Sequence, residues 1–301
     1  MNMNKLSILS NASTLDVKTE PYPHLVIKNA LDPEVFKQLA DEYPDPAIVL
    51  NGREKKDTWY DYPACLATKN PSITPLWKEF LDYHTSQAFY LDLINLFGDV
   101  IEQVHPKLTR HYKKPLTEFS TSVRQTGAAQ NPVNHQADVS LECQFYVNYT
   151  KKPRTVRGPH VDRPTELYAA LLYFRDEKDD SSGSNLDVCA AKKPSELYPK
   201  NKQIKADHLP MEIEANKVDV VETAVYEANT LVLFINSEKS IHAVSPRTAT
   251  PIARRHINFT ADLFGLKDDG LFEVIHNADK KLKMWLESQP IIWRLARLLK
   301  N

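Results

Sequence analysis

Between about residues 140 and 265 the chain is written in short apolar runs separated by turn formers. Leu141, Cys143, Phe145 and Val147 alternate with Glu142, Gln144, Tyr146 and Asn148, and Tyr149 closes the run. A period of two is the mark of a strand with two unlike faces. A second strand-like run, Leu167 to Phe174, ends in a polar turn, Asp179 to Asn185, from which Leu186-Asp187-Val188 departs. Further runs follow at Val218–Thr223, Thr230–Phe234 and Ile257–Ala261. Short strands parted by turn residues predict a β-sandwich or barrel.

The N-terminal part reads differently. Pro23 to Leu31 is an extended apolar run, and Asp32-Pro33-Glu34 supplies an N-cap, a first-position proline and an acidic first turn for a helix reaching about Tyr43. Leu50 to Asn70 is polar and irregular; its aromatic cluster, Trp59, Tyr60 and Tyr62, is expected to pack beneath a loop or to line a substrate entrance. Leu76, Phe80, Tyr83, Phe89, Leu93 and Phe97 keep helical spacing, which predicts a buttress against the sheet over Thr74–Phe97. Val104 to Asn134 shows no clean period and is expected to be a lid. A polar insertion is expected after Ala190, and a pair of short helices, broken at Pro290, over Ala278–Leu299. The expectation is one domain over 1–301: a helical and lid elaboration to 135, a core over 136–265, and C-terminal helices from 266.

Composition narrows the partners. The 301 residues carry a formal charge of −1, which gives no global attraction to nucleic acid or a membrane surface. Three cysteines, Cys65, Cys143 and Cys189, lack metal-ligand spacing and suggest no disulfide framework. Neither a secretory apolar region nor a membrane-length apolar run is present, so a reducing, cytoplasmic setting is expected, one that would keep iron ferrous.

The candidate chemistry lies at Gly158-Pro159-His160-Val161-Asp162. On extended backbone His160 and Asp162 point the same way and offer an imidazole and a carboxylate to one point. A distant third histidine would complete the two-His, one-carboxylate face of non-haem Fe(II) oxygenases. His242 follows the apolar run Leu231–Phe234 after a short polar loop. His111, His135, His208 and His256 are rivals with poorer local settings.

Taken in order, Gly-Pro-His160-x-Asp162, the strand ending Leu-Leu-Tyr173-Phe174, the Gly183-Ser184-Asn185-Leu186 turn, Asn229-x-Leu231-Val232-Leu233-Phe234, His242-Ala243-Val244-Ser245-Pro246 and Arg254-Arg255-His256-Ile257-Asn258-Phe259 resemble the 2-oxoglutarate- and Fe(II)-dependent dioxygenases, in particular the prolyl-hydroxylase-like branch. The resemblance spans about residues 140–265. It implies a mainly β fold with flanking helices, the double-stranded β-helix (a cupin-like jelly roll). It also implies Fe(II) held by His160, Asp162 and His242, with 2-oxoglutarate and O2 as cosubstrates and succinate and CO2 as products. Arg254, three before Ile257, is implied as the anchor of the cosubstrate's far carboxylate, with Arg255 as its rival. Tyr173 is implied as a hydroxyl donor to that carboxylate, with Tyr168 as the alternative, and Tyr149 as a further cosubstrate contact. Asp162 speaks against the halogenating variants, which leave that position open. Arg124 could bind a substrate carboxylate or serve a salt bridge. The substrate would be a small metabolite, a free amino acid or a peptidyl side chain, not nucleic acid. Two readings compete: a non-catalytic jelly-roll binding protein, and a Zn(II) hydrolase using the same triad.

Overall fold

The computed structural model describes residues 5–126, 136–154, 157–194, 197, 211–266 and 270–272. His135, His208, most of the insertion after Ala190, the end of the expected lid and the expected C-terminal helices lie outside the described residues.

Two sheets face one another. The larger runs, edge to edge, through β1 (His24–Lys28), β10 (Thr230–Ile235), β6 (Glu166–Tyr173), β12 (Thr250–Leu263), β4 (Val139–Thr150) and β2 (Trp59–Pro63), with β3 (Thr121–Val123) parallel to β4. The smaller runs through β8 (Met211–Glu212), β5 (Arg157–Val161), β11 (His242–Val244), β7 (Leu186–Ala191) and β9 (Val218–Ala224). From β4 to β7, and again from β9 to β12, the chain passes strand by strand from one sheet to the other. This alternation is the double-stranded β-helix, or jelly roll.

The period of two sorts the larger sheet's side chains. Leu141, Cys143, Phe145 and Val147 of β4 join the core under the helices, where the Trp77 and Phe145 rings lie 4.7 Å apart. The opposite face turns to the smaller sheet: Ala169, Tyr173, Val232 and Phe234 pack there with Leu186, Val188 and Ala224. The inner face of β4 and β12 is instead polar, and it bears Tyr146, Asn148, Arg254 and His256.

The helices are α1 (Pro33–Asp41), α2 (Pro46–Leu50), α3 (Ala64–Ala67), α4 (Pro75–His84), α5 (Gln87–Val104) and α6 (Leu108–Tyr112). The Asp32 carboxylate caps α1 by accepting from the Glu34 and Val35 amides, as the Asp-Pro-Glu pattern predicts. The helical stretch predicted over Thr74–Phe97 is divided after His84, because Ser86 caps α5 by accepting from the Phe89 amide. The Leu50–Asn70 segment, predicted irregular, contains β2: Tyr60 and Tyr62 are core residues, while Trp59 faces the other way and stacks on Tyr146 at 5.3 Å. The segment Val104–Asn134, expected to be a lid without a clean period, contributes α6 and β3 in its described part. All three cysteines are buried and free. Among the described residues no helix is long and apolar enough to cross a membrane.

Candidate active site

β5 and β11 are neighbours in the smaller sheet, with His160 and His242 directly opposite one another. Their rings are 4.1 Å apart, and Asp162, just beyond β5, reaches back to both. His160 Nε2 lies 3.6 Å from Asp162 Oδ1, and His242 Nε2 lies 3.5 Å from Asp162 Oδ2. The three ligand atoms fall within 4.8 Å of one another. An ion bonded at about 2.1 Å to each of two donors holds them no more than about 4.2 Å apart, so each imidazole–carboxylate pair is already close enough to share one.

The backbone orients both imidazoles. His160 Nδ1–H donates to the Gly158 carbonyl at 2.8 Å, and His242 Nδ1–H donates to the Ser240 carbonyl at 3.0 Å. Both Nε2 lone pairs are thereby aimed at Asp162, the arrangement by which outer contacts set the tautomer of a ligating histidine. Burial, then His242 and Arg157, hold the His160 pKa well below its usual range, which keeps the ring neutral. The Phe234 ring closes the apolar side, 4.5 Å from His242.

A second cluster surrounds Arg254 on the inner face of β12. Its guanidinium donates through Nη1 to His256 Nδ1 at 2.9 Å and through Nη2 to the Ser184 carbonyl at 3.2 Å, and it lies over the rings of Tyr173 and Tyr226 at 5.0 and 4.9 Å. Arg254 Nε, Tyr173 Oη, Ser184 Oγ and Asn148 Nδ2 are all buried without a hydrogen-bond partner among the described residues. Asn148 is the cross-strand partner of Arg254, so these orphaned groups belong to one neighbourhood. The Tyr173 hydroxyl faces Arg254 and the backbone of Leu186 but completes a hydrogen bond with neither. Several buried donors that lack an acceptor, gathered round a guanidinium, fit a carboxylate.

Gly183 sets the position of the Ser184 carbonyl. Its φ is +78°, and a Cβ there would stand 1.7 Å from the Pro246 carbonyl oxygen. Only glycine fits both demands.

Several expected residues lie elsewhere. Tyr149 is not brought to the site: it falls on the same parity as Leu141 and Val147 and packs in the helix-side core against Tyr60 and under Lys55. Tyr146, one of the even-numbered residues of β4, takes the inner position, 4.7 Å from His256, and senses the charges of Asp61, Arg157, Arg254 and Asp162. Tyr168 belongs to the outer core and Tyr173 to the inner one. Arg255 faces outward, pairing with Asp176 at 3.1 Å and lying over Tyr43. Ile257, used as an inward marker for Arg254, is itself in the outer core, since residues three apart on a strand face opposite ways. Arg124 makes an ion pair with Asp262 at 2.8 Å. His111 bonds the Gly265 carbonyl, away from the triad, and His256 serves Arg254 and is no part of the metal cluster.

Sequence reasoning missed Tyr146, Tyr226, Ser184, Asn148 and the role of His256. For Tyr146 and Asn148 the signal was present, in the alternation of β4.

No protein-family model matches the chain, and no curated protein matches its sequence. Among solved structures it is similar to a prolyl hydroxylase from Trichoplax adhaerens in complex with a hypoxia inducible factor oxygen degradation domain peptide fragment, at 14% identity over 95% of this chain and 96% of that one, with a TM-score of 0.41. It is similar to a prolyl 4-hydroxylase from Phytophthora capsici at 17% identity, covering 95% and 72%, with a TM-score of 0.40. The epimerase SnoN, in complex with Fe3+, alpha ketoglutarate and nogalamycin RO, matches at 10% identity over 79% and 78%, with a TM-score of 0.42. Likeness at this level leaves function to the residues of the site.

Proposed function

We propose that this chain is an Fe(II)- and 2-oxoglutarate-dependent oxygenase that hydroxylates an unactivated C–H bond of a small metabolite, an amino acid or a peptidyl side chain, with release of succinate and CO2. The observation that carries the reading is the presence, inside one barrel, of a two-His, one-carboxylate cluster and a separate set of buried donors around Arg254 that find no acceptor among the described residues. A zinc hydrolase would use the first and have no task for the second. A simple binding module has no need of two imidazoles turned by backbone carbonyls toward one carboxylate.

His160, Asp162 and His242 would hold the metal, which, with 2-oxoglutarate and O2, supplies an oxidant able to break a C–H bond. Arg254 Nε–H and the Tyr173 hydroxyl would bind the C5 carboxylate of 2-oxoglutarate, and His256 and the Ser184 carbonyl fix the plane of the guanidinium. The neutral His160 ring keeps its lone pair free for the metal. Phe234 and the apolar inner residues packed with Tyr173 would give this side of the site an apolar wall. A reducing cytoplasm, where such iron stays ferrous, suits the reading.

The test is anaerobic addition of Fe(II), then 2-oxoglutarate, to metal-free protein, followed by visible absorption. The expected result is a charge-transfer band of a chelated iron–oxoacid complex that is lost in His160→Ala. A parent that retains no iron and shows no band would return the chain to the binding-module reading.

A further inference from the structure

Beyond the triad and Arg254, the inner face of β4 and β12 holds a further polar group, one that no cation among the described residues pairs with. Glu142 is 4% exposed, yet among the described residues its carboxylate meets only backbone amides, that of Ala64 at a long 3.4 Å and that of Cys143. Thr260 stands directly across from it on β12, and Ser140 is its next same-face neighbour along β4. Among the described residues Thr260 Oγ1 and Ser140 Oγ are both buried without a partner, as is Ser122 Oγ, beside Ser140 on β3.

The neighbouring charges are already matched. Asp262 is held by Arg124 at 2.8 Å, Asp61 by Arg53 at 3.0 Å, and Glu166 by Arg163 at 2.5 Å. Among the described residues Glu142 has no ion-pair partner, and Arg124, whose charge it senses, is committed to Asp262. The region also adjoins the triad. Asp262, two residues along β12 from Thr260, accepts from Thr165 at 3.0 Å and lies 3.5 Å from Arg163, both on the turn that follows Asp162.

We propose that Glu142, with the hydroxyls of Thr260 and Ser140, forms the subsite that receives an ammonium or guanidinium group of the substrate. The proposal rests on the oxygenase reading for the word substrate; the cation site itself stands on these residues. An ammonium has three donors and no acceptor. One carboxylate and two hydroxyl oxygens match it, and the cation supplies the charge that Glu142 lacks. The substrate class is therefore a basic amino acid or amine, or a lysyl or arginyl side chain of a peptide. Burial raises the Glu142 pKa to about 7, so the carboxylate is poised to ionise when a cation arrives.

The test is calorimetric titration of the protein, supplied anaerobically with Fe(II) and 2-oxoglutarate, with lysine and arginine, and with Nε-acetyl-lysine and citrulline as neutral counterparts, each free and within short peptides. The parent is expected to bind at least one cation about 10-fold or more tightly than its neutral counterpart. In Glu142→Gln that preference falls to roughly 2-fold or less, and Thr260→Val weakens the cation in the same direction, with thermal unfolding confirming that both variants fold. No binding by any cation, equal binding of cation and counterpart, or a preference that survives in Glu142→Gln overturns the subsite. The charge-transfer band is read in the same samples: a band without cation preference leaves the oxygenase and removes the subsite, and cation preference without a band does the reverse.

Discussion

Tyr173→Phe separates a functional hydroxyl from a structural one. Tyr173 is fully buried, and its Oη completes no hydrogen bond within the described protein. Its ring packs under Arg254 and beside Tyr226 at 5.3 Å, contacts that phenylalanine keeps. Removing a buried hydroxyl that has no partner relieves a desolvation penalty and breaks nothing, so unfolding free energy without ligands is expected to stay level or to rise by up to about 1 kcal/mol. A hydroxyl that donates to a carboxylate contributes roughly 1.5–3 kcal/mol, so 2-oxoglutarate affinity should fall by about 10- to 150-fold. Urea denaturation of metal-free protein gives the first quantity, and anaerobic titration of the Fe(II) form gives the second. A variant that is clearly destabilised while binding 2-oxoglutarate like the parent would refute the argument, because the hydroxyl would then serve the fold.

Three further outcomes follow from the same neighbourhood. Gly183→Ala places a Cβ 1.7 Å from the Pro246 carbonyl at a left-handed φ, and denaturation should show a loss of about 3 kcal/mol or more; an unchanged midpoint would mean that the turn before β7 yields freely. Asp179→Asn takes from Arg247 the negative charge that lies 2.7 Å away, where both side chains are wholly buried, and a loss of about 3–5 kcal/mol is expected by urea titration. Glu142 gives a pH dependence of definite sign: burial raises its folded pKa from 4.5 to about 7 against Arg124 and the Ala64 and Cys143 amides, with Asp61 adding to the rise. The folded state then holds a proton that the unfolded state releases, so stability due to this group falls as pH rises from about 4.5 to about 7, by up to about 3 kcal/mol, and is flat above. Stability curves at pH 5 and pH 8 should converge in Glu142→Gln relative to the parent, and identical slopes in the two proteins would exclude Glu142 as their source.

What was legible in the sequence is what a strand encodes locally. His160 and Asp162 lie two apart and so share a direction, and His242 follows a strand whose apolar run announces it; the fold then has only to set β11 beside β5. The same rule of two would have rejected Tyr149, which continues the apolar parity of Leu141 to Val147, and would have offered Tyr146 and Asn148 in its place. It also shows that Ile257 could not vouch for Arg254, although Arg254 is the inward arginine. Other features have no local code. Ser184 and Tyr226 reach Arg254 from turns outside the larger sheet, and β2, a five-residue edge strand ending in proline, offered no clean pattern. Glu142 is the sharpest case: its place on the inner face is written in the alternation of β4, but that no described cation forms an ion pair with it is decided only when the fold brings Arg124 to Asp262. A polar residue's direction can be read along a strand, whereas its partner is chosen by the whole topology, and it is the unmatched partner that points to a ligand.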